Sequence, residues 1–232
     1  MSIIYRTTLT PSKMELLSGW LPTRPWYRGP GGAAAPERAG GFRLDDPDGE
    51  VGIEFSVVTD RAGEQAVTYQ VPLTYRGAPL SGADDALIGT TVHGVLGKRW
   101  VYDGTRDLVL VRQLVALIQG SAVPQAQSQT DTLDPTVLVH APLGVAVAAA
   151  FGFSASDGPD GTTLRIEAGA VGAGAVGAGA AEADTAGELL VNVVRVLVSA
   201  AEDPNGPSCV TAPFRQPDGA TTRGVFATVA LR

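Results

Sequence analysis

The sequence predicts an α+β protein built mainly of antiparallel strands, with two flanking helices and a second half that is mostly β. Three observations indicate this fold class. Residues 51–57 and 67–75 alternate apolar and polar side chains, as strands with one buried face do. Residues 11–20 and 107–119 instead repeat apolar residues at three- and four-residue intervals, which is typical of helices. From residue 137 onward, the apolar segments are short, rich in Val and separated by turn residues.

Composition indicates a folded protein and excludes several classes of partner. Of the 232 residues, 44% are hydrophobic and 18% are charged, which is enough apolar material for a sizeable core. The net charge of −7 is spread along the chain, so no basic face for nucleic acid is expected. A single Cys, the absence of a signal-peptide pattern and the lack of an unbroken apolar stretch of about 20 residues predict a cytoplasmic protein that does not insert into a membrane.

The first 50 residues are predicted to contain a strand at 3–8, a helix and a loop. Thr10 is the expected N-cap of the helix, with Pro11 at its first position, and the helix is expected to end near Trp20. Residues 28–41 are rich in Gly, Pro and Ala and show neither a helical nor a strand period. We therefore expect a mobile loop there.

A β-hairpin follows, formed by the two alternating segments 51–57 and 67–75. Because Pro72 has no N–H to donate, its strand should lie at a sheet edge or carry a bulge. A short strand is expected at 99–102, and the helix at 107–119 should end at Gly120.

The second half is predicted to hold strands at 163–168, 189–198, 210–214 and 224–231, with no secure helix. Residues 121–135 are poor in large apolar side chains and are interpreted as a linker or inserted loop. This divides the chain into a domain of residues 1–120 and a β-rich subdomain of residues 136–232. The two halves are expected either to share one extended sheet or to pack as two sheet-bearing units. The linker and the Gly-Ala repeat at 168–187 are expected to be mobile.

The common catalytic and metal-binding motifs give little support to an enzyme. The G-x-G-x-x-G spacing at 172–177 lies in a Gly-Ala repeat with no credible helix after it, so a flexible loop is favoured over dinucleotide binding. The acidic cluster at 45–50 is interpreted as a solvated turn. His93, His140 and Cys209 lack partners at metal-ligand spacing, although a Cys–His pair formed only in the fold stays open. No catalytic residue, metal or cofactor is predicted, and an uncharacterised enzyme is kept as a less favoured alternative.

The segment after the first helix concentrates aromatic and Arg side chains. Arg24, Trp26, Tyr27 and Arg28 are candidate contacts for a protein partner or a sugar, because these residue types anchor interfaces and stack on sugar faces. The alternative is that Trp20 and Trp26 attach a proline-rich turn to the core.

This segment also carries a family resemblance. Trp20-Leu21-Pro22, Arg24, Trp26-Tyr27 and Gly29 resemble the opening of bacterial maltokinases and related aminosugar kinases, in which an N-terminal cap domain precedes a two-lobed kinase body. The resemblance continues through residues 71–80, 88–90 and 100–118, and so covers about residues 1–120. The chain is similar to stand-alone maltokinase N-terminal cap-like proteins of actinobacteria. Its content of 15 Arg and two Lys residues is typical of such a high-GC origin. A curved antiparallel sheet with flanking helices is implied for the first half.

The departures from the kinases shape the functional expectation. Residues 189–195 resemble the family's strand that carries an ATP-contacting lysine, with Asn192 in the place of that lysine. The catalytic and metal-binding Asp pattern of phosphoryl transfer is not found. The resemblance therefore implies a non-catalytic interaction or regulatory protein associated with cytoplasmic maltose, trehalose or α-glucan metabolism. Its partner would be a kinase, a glucan-metabolism enzyme or a sugar, and a homo-oligomer stays open. The alternative is a carbohydrate-binding module that stacks sugars on Trp26 and Tyr27.

Overall fold

The computed structural model describes residues 8–129, 131–141, 152–168, 187–200 and 208–232. The predicted strand at 3–8 and the Gly-Ala repeat fall almost entirely outside these ranges. The two helices are α1 (Lys13–Trp20) and α2 (Leu108–Ile118). The strands are β1 (Leu9–Thr10), β2 (Pro36–Leu44), β3 (Gly52–Asp60), β4 (Val67–Arg76), β5 (Leu87–His93), β6 (Gly97–Asp103), β7 (Gln125–Ala126), β8 (Leu138–His140), β9 (Phe153–Asp157), β10 (Gly161–Ala168), β11 (Gly187–Val194), β12 (Cys209–Arg215) and β13 (Thr221–Leu231).

All of these strands belong to one antiparallel sheet. Its order is β1-β5-β6-β4-β3-β2-β12-β13-β11-β10-β9, and β7 and β8 pair with β2 and β12 from outside this path. Strands from the two halves of the chain meet where Phe214 pairs with Gly40. The predicted mainly antiparallel sheet with two helices is therefore confirmed, whereas the division at residues 121–135 stays a prediction.

The sheet curls so that the segment after β11 returns to β4. Val196 forms a bridge with Tyr69. Next to this bridge, the N–H of Gln70 donates to the carbonyl of Arg195 over 2.9 Å, and the N–H of Leu197 donates to the carbonyl of Thr68 over 2.8 Å. β4 therefore has hydrogen-bonded neighbours from both halves of the chain.

The main core packs α2 against strands of both halves. Six side chains of α2 are buried in it, so "flanking" describes this helix only approximately. Rings from β2, β3 and β13 meet there, since Phe42 stacks on Phe55 at 4.6 Å and lies 5.7 Å from Phe226. A second cluster packs α1 against β4 through Leu17 and Tyr69. With 8 and 11 residues, neither described helix is long enough to cross a bilayer.

α1 begins later than predicted. Its N-cap is Ser12, whose hydroxyl accepts the N–H of Glu15, while the Glu15 carboxylate accepts the N–H of Ser12 over 2.7 Å. This reciprocal capping box satisfies two N–H groups at the start of the helix, which Thr10 followed by Pro11 would not do. The prediction of Thr10 as N-cap is therefore wrong, although the helix itself and its end at Trp20 are confirmed.

The predicted mobile loop at 28–41 is wrong for its second part, because β2 starts at Pro36. Gly40 and Gly41 have φ values of +144° and +126°, and the pairing with β3 shifts between Arg38 and Gly40. A Cβ on Gly41 would lie 2.3 Å from the carbonyl oxygen of Phe55, so only Gly fits against β3 there. This bulge removes the apolar alternation by which a strand is recognised.

Pro72 lies in neither of the two positions expected for it. β4 is a central strand, and its register with β3 is unbroken where Pro72 faces Phe55. Along β4, every second nitrogen points to the same side, so the nitrogen of Pro72 points the way the N–H of Gln70 does. On that side of β4, Gln70 contacts Arg195, and the pairing of β4 with β6 starts at Leu73, so the nitrogen of Pro72 lies between these two contacts. The missing N–H therefore costs no ladder hydrogen bond.

Candidate functional site

A tight turn follows α1 and positions the aromatic and Arg side chains singled out above. The chain continues from α1 into a 3-10 turn over Leu21–Thr23. The hydroxyl of Thr23 donates to the carbonyl of Trp20 over 2.7 Å. The N–H of Tyr27 donates to the carbonyl of Arg24 over 3.1 Å. Because Pro22 and Pro25 cannot continue a helix, the chain reverses here and runs back across the face of β4.

Trp26 is a core residue. Its side chain is 0% exposed, and its ring lies 5.7 Å from the ring of Trp20 and 5.8 Å from that of Tyr69. The guanidinium of Arg195 lies over its face at 4.9 Å. The expectation that Trp26 offers a face to a sugar or partner is therefore wrong, and the alternative, a clasp between turn and core, is confirmed for Trp26 and for the buried Trp20.

Tyr27 is half-buried and also faces the protein. Its ring stacks on that of Tyr69 at 5.7 Å with an interplanar angle of 24°. Its hydroxyl donates to the buried carboxylate of Asp60 over 2.7 Å. Burial, followed by this contact with Asp60, raises the pKa of Tyr27 above its ordinary value of 10. Both ring and hydroxyl are thus engaged by β3 and β4.

Of the two Arg side chains, Arg28 is exposed and Arg24 is half-buried. The guanidinium of Arg24 lies 4.9 Å from the ring centre of Trp20. Arg28 anchors its backbone by donating its N–H to the hydroxyl of Tyr69 over 2.8 Å. Its side chain is 51% exposed and forms an ion pair with Asp160 over 3.1 Å. Contacts of Arg24 and Arg28 with a partner or sugar stay a prediction.

Arg28 borders a cleft of about 730 Å³, which could not be located from the sequence. The cleft lies at the tip of the β3–β4 hairpin, and its walls come from both halves of the chain. They consist of residues 28–30, Asp60, residues 63–68, residues 196–199, Phe214 near the end of β12, and Gln216 and Pro217 just after it. Volumes of this order are typical of small-molecule sites.

A buried ion pair that sequence analysis missed joins the two halves beside Trp26. Arg195 is 0% exposed and donates to both carboxylate oxygens of Asp103, over 2.6 and 2.8 Å. It also donates to the hydroxyls of Thr105 and Thr162 over 3.0 and 2.8 Å. The one signal in the sequence is a charged residue at the end of a Val-rich strand, which does not identify its partner 92 residues away.

A second missed network surrounds Glu54 on β3. Its carboxylate accepts hydrogen bonds from the ammonium of Lys13, the amide of Gln127 and, over 2.9 Å, the hydroxyl of Tyr75. Burial alone would raise the pKa of Glu54, but the charge of Lys13 and the three donors outweigh it and lower that pKa. The network fastens α1 and the segment after β7 to the sheet.

The other residues considered for chemistry are held by structural contacts. Asp46 accepts the backbone N–H groups of Glu50 and Val51 over 3.0 and 2.9 Å, which confirms the predicted turn, although Asp46 itself is buried. Cys209 pairs with His140 across β8 and β12, but the His140 ring bonds to the hydroxyl of Thr211 over 2.9 Å. Burial raises the pKa of Cys209, which keeps the thiol protonated.

His93 accepts the backbone N–H groups of Val95 and Leu96 through Nδ1 and thereby shapes the β5–β6 turn. Within the described ranges, no group of three or more His, Cys, Asp or Glu side chains could hold a metal ion. What this region offers to a ligand or partner is the exposed side chain of Arg28 beside the cleft.

Comparison with known proteins finds one similarity, which lies within the first half of the chain. Residues 20–107 match the family model of the maltokinase N-terminal cap domain. No curated protein matches the chain. The matched region starts at the buried Trp20, includes the turn with Trp26 and Tyr27, and continues through β2 to β6 up to Asp107, the N-cap of α2. The resemblance to the maltokinase N-terminal cap domain that the sequence predicted is thus confirmed over residues 20–107.

Proposed function

We propose that this chain is a non-catalytic protein that binds and regulates an enzyme of cytoplasmic maltose, trehalose or α-glucan metabolism. The observation that carries the proposal is the match of residues 20–107 to the maltokinase N-terminal cap domain. A cap that lies next to a kinase body in one chain can bind the same kind of body from another chain. We therefore expect a kinase or another glucan-metabolism enzyme as partner.

The contacts of the described residues support binding rather than chemistry. Asp103 and Glu54 are engaged in ion pairs, with Arg195 and Lys13 respectively. The thiol of Cys209 is held in its protonated form by burial. By contrast, Arg28 presents a half-exposed guanidinium at the surface of the matched region, where Arg side chains commonly anchor protein interfaces.

The test uses the purified chain and purified maltokinase from the same organism. Biolayer interferometry should show binding with a Kd of about 10 μM or below, and saturating chain should change the rate of maltose phosphorylation. The double variant Arg24→Ala/Arg28→Ala should weaken binding. Arg165→Ala is the matched control, because Arg165 is also half-exposed and paired, with Glu188, but lies outside the matched region.

The same measurement should be repeated with enzymes of the organism that form or consume maltose and trehalose. If neither maltokinase nor any of these enzymes binds the chain or changes its rate in its presence, the proposal is wrong. Equal loss of binding in the Arg24→Ala/Arg28→Ala and Arg165→Ala variants would contradict the placement of the interface at Arg24 and Arg28.

A further inference from the structure

The walls of the cleft beside Arg28 are held in place by hydrogen bonds between distant segments. Leu197 is bound to Thr68 across the bridge between the two halves. The guanidinium of Arg61 donates to the carbonyl of Pro217 over 3.0 Å, which fastens the segment just after β12 to the β3–β4 turn. Because the walls are already ordered, a ligand that enters would lose little of its binding free energy to ordering the protein.

The lining combines apolar surface with uncharged hydrogen-bonding groups. Its apolar part is formed by aliphatic and Pro side chains: Pro30, Val67, Val196, Val198 and Pro217. Among these, Val198 is 67% exposed, which leaves apolar surface for a ligand to cover. Gln65 and Gln216 also line the cleft, and their side-chain amides form no hydrogen bond with any other described residue. Each amide therefore has donors and an acceptor available for a ligand.

The charges of the lining favour a neutral ligand. Arg28 contributes one positive charge, while Asp60 and Glu64 contribute two negative charges, so the walls carry a net charge of −1. Arg28 is already paired with Asp160. Both carboxylate oxygens of Asp60 accept hydrogen bonds within the protein, from Tyr27, Ala35 and Ala62. A phosphate or nucleotide would thus meet net repulsion, and a cation would find the buried carboxylate occupied.

We propose that this cleft binds a neutral oligosaccharide of two or three sugar units. Such a ligand presents hydroxyl groups, which suit the amides of Gln65 and Gln216, and apolar C–H faces, which suit the surface at Val198 and Pro217. A volume of about 730 Å³ lies in the range of sites that enclose ligands of this size. The inference goes beyond the proposed function, since it needs no partner enzyme.

Isothermal titration calorimetry on the purified full chain tests the proposal. Maltotriose, trehalose and cellobiose should be titrated up to about 10 mM, with glucose 6-phosphate and ATP as charged comparisons. We expect at least one neutral sugar to bind with a Kd of about 1 mM or below, and both charged ligands to bind more weakly. Absence of binding by all three neutral sugars, or tighter binding of either charged ligand, would overturn the proposal.

Variants locate the binding. Gln216→Ala and Gln65→Ala should each weaken sugar binding about 3- to 10-fold, the value of one hydrogen bond, without lowering the melting temperature. Gln129→Ala is the matched control, since Gln129 is exposed and lies outside the cleft. Sugar binding that is unchanged in both cleft variants would place the site elsewhere and refute the inference. Because no enzyme is present, these results are independent of whether the chain binds maltokinase.

Discussion

Replacing Trp26 by Ala tests the conclusion that this residue is part of the core rather than a contact for a partner. The indole is fully buried between Trp20, Tyr69 and the guanidinium of Arg195. Its removal would leave a cavity that these three neighbours, each fixed by other contacts, cannot fill. It would also remove the aromatic face that the buried charge of Arg195 lies against.

The expected loss of stability follows from that burial. Truncation of a buried Trp or Phe to Ala costs about 3–5 kcal/mol of unfolding free energy. For a chain of this size, each kcal/mol lowers the melting temperature by about 2–4 °C, so we expect a decrease of about 6–20 °C. Far-UV circular dichroism during urea and thermal unfolding measures both quantities without relying on Trp fluorescence.

Trp100→Ala provides the matched control, because it makes the same chemical change at a half-buried ring, which Lys98 covers at 4.8 Å. Its cost should be clearly smaller than that of Trp26→Ala. If Trp26→Ala unfolds within about 1 kcal/mol of the unsubstituted protein, a size typical of surface substitutions, the assignment of Trp26 to the core is refuted.

Three further predictions concern the contacts that hold the fold. Asp103→Ala leaves the charge of Arg195 buried without its partner and should cost about 3–5 kcal/mol of unfolding free energy, measured with urea. The double variant Asp103→Ala/Arg195→Met should cost less than the sum of the two single changes, and additive costs would contradict the coupling between Asp103 and Arg195. Ser12→Ala should cost about 1 kcal/mol through loss of the helix cap, and Thr10→Ala should cost less in the same assay; the reverse order would restore Thr10 as the cap. The folded-state pKa of Glu54 lies below its ordinary value of 4.5, so its stabilising contribution is present above pH 4.5 and is lost as the pH falls through the folded-state pKa. When the unfolding free energy is measured from pH 7 to pH 3, it should therefore fall less steeply for Glu54→Gln than for the unsubstituted protein.

Local patterns were sufficient to predict the elements with regular burial. The hairpin became β3 and β4, and the apolar repeat at 107–119 became α2. In β4 the alternation is visible although both faces are buried, because Tyr69 and Val71 occupy one face and the polar Gln70 the other. Gln70 is accommodated there by donating its side-chain amide to the carbonyl of Phe226 over 3.3 Å.

Features that depend on distant residues could not be predicted from local patterns. Whether Trp26 is exposed or buried is decided by Tyr69 and Arg195, which follow it by many residues and meet it only in the fold. β2 was missed because Gly40 and Gly41, which permit its bulge, are the residues that usually indicate a loop. The cleft could not be predicted because its walls come from segments that are far apart in the sequence and meet only in the fold.

The matched cap region and the second half form the candidate site together. In the matched region, β2 and β4 each have an edge that pairs with the second half. Gly40 of β2 pairs with Phe214, and Tyr69 of β4 forms a bridge with Val196. Unpaired strand edges invite association with other strands, so the second half removes two such surfaces from the cap region. The same contacts bring residues 196–199 and the end of β12 against residues 28–30 and 63–68, and thereby create the cleft. A ligand in that cleft would contact both halves at once, and would therefore stabilise their joining by its own binding free energy.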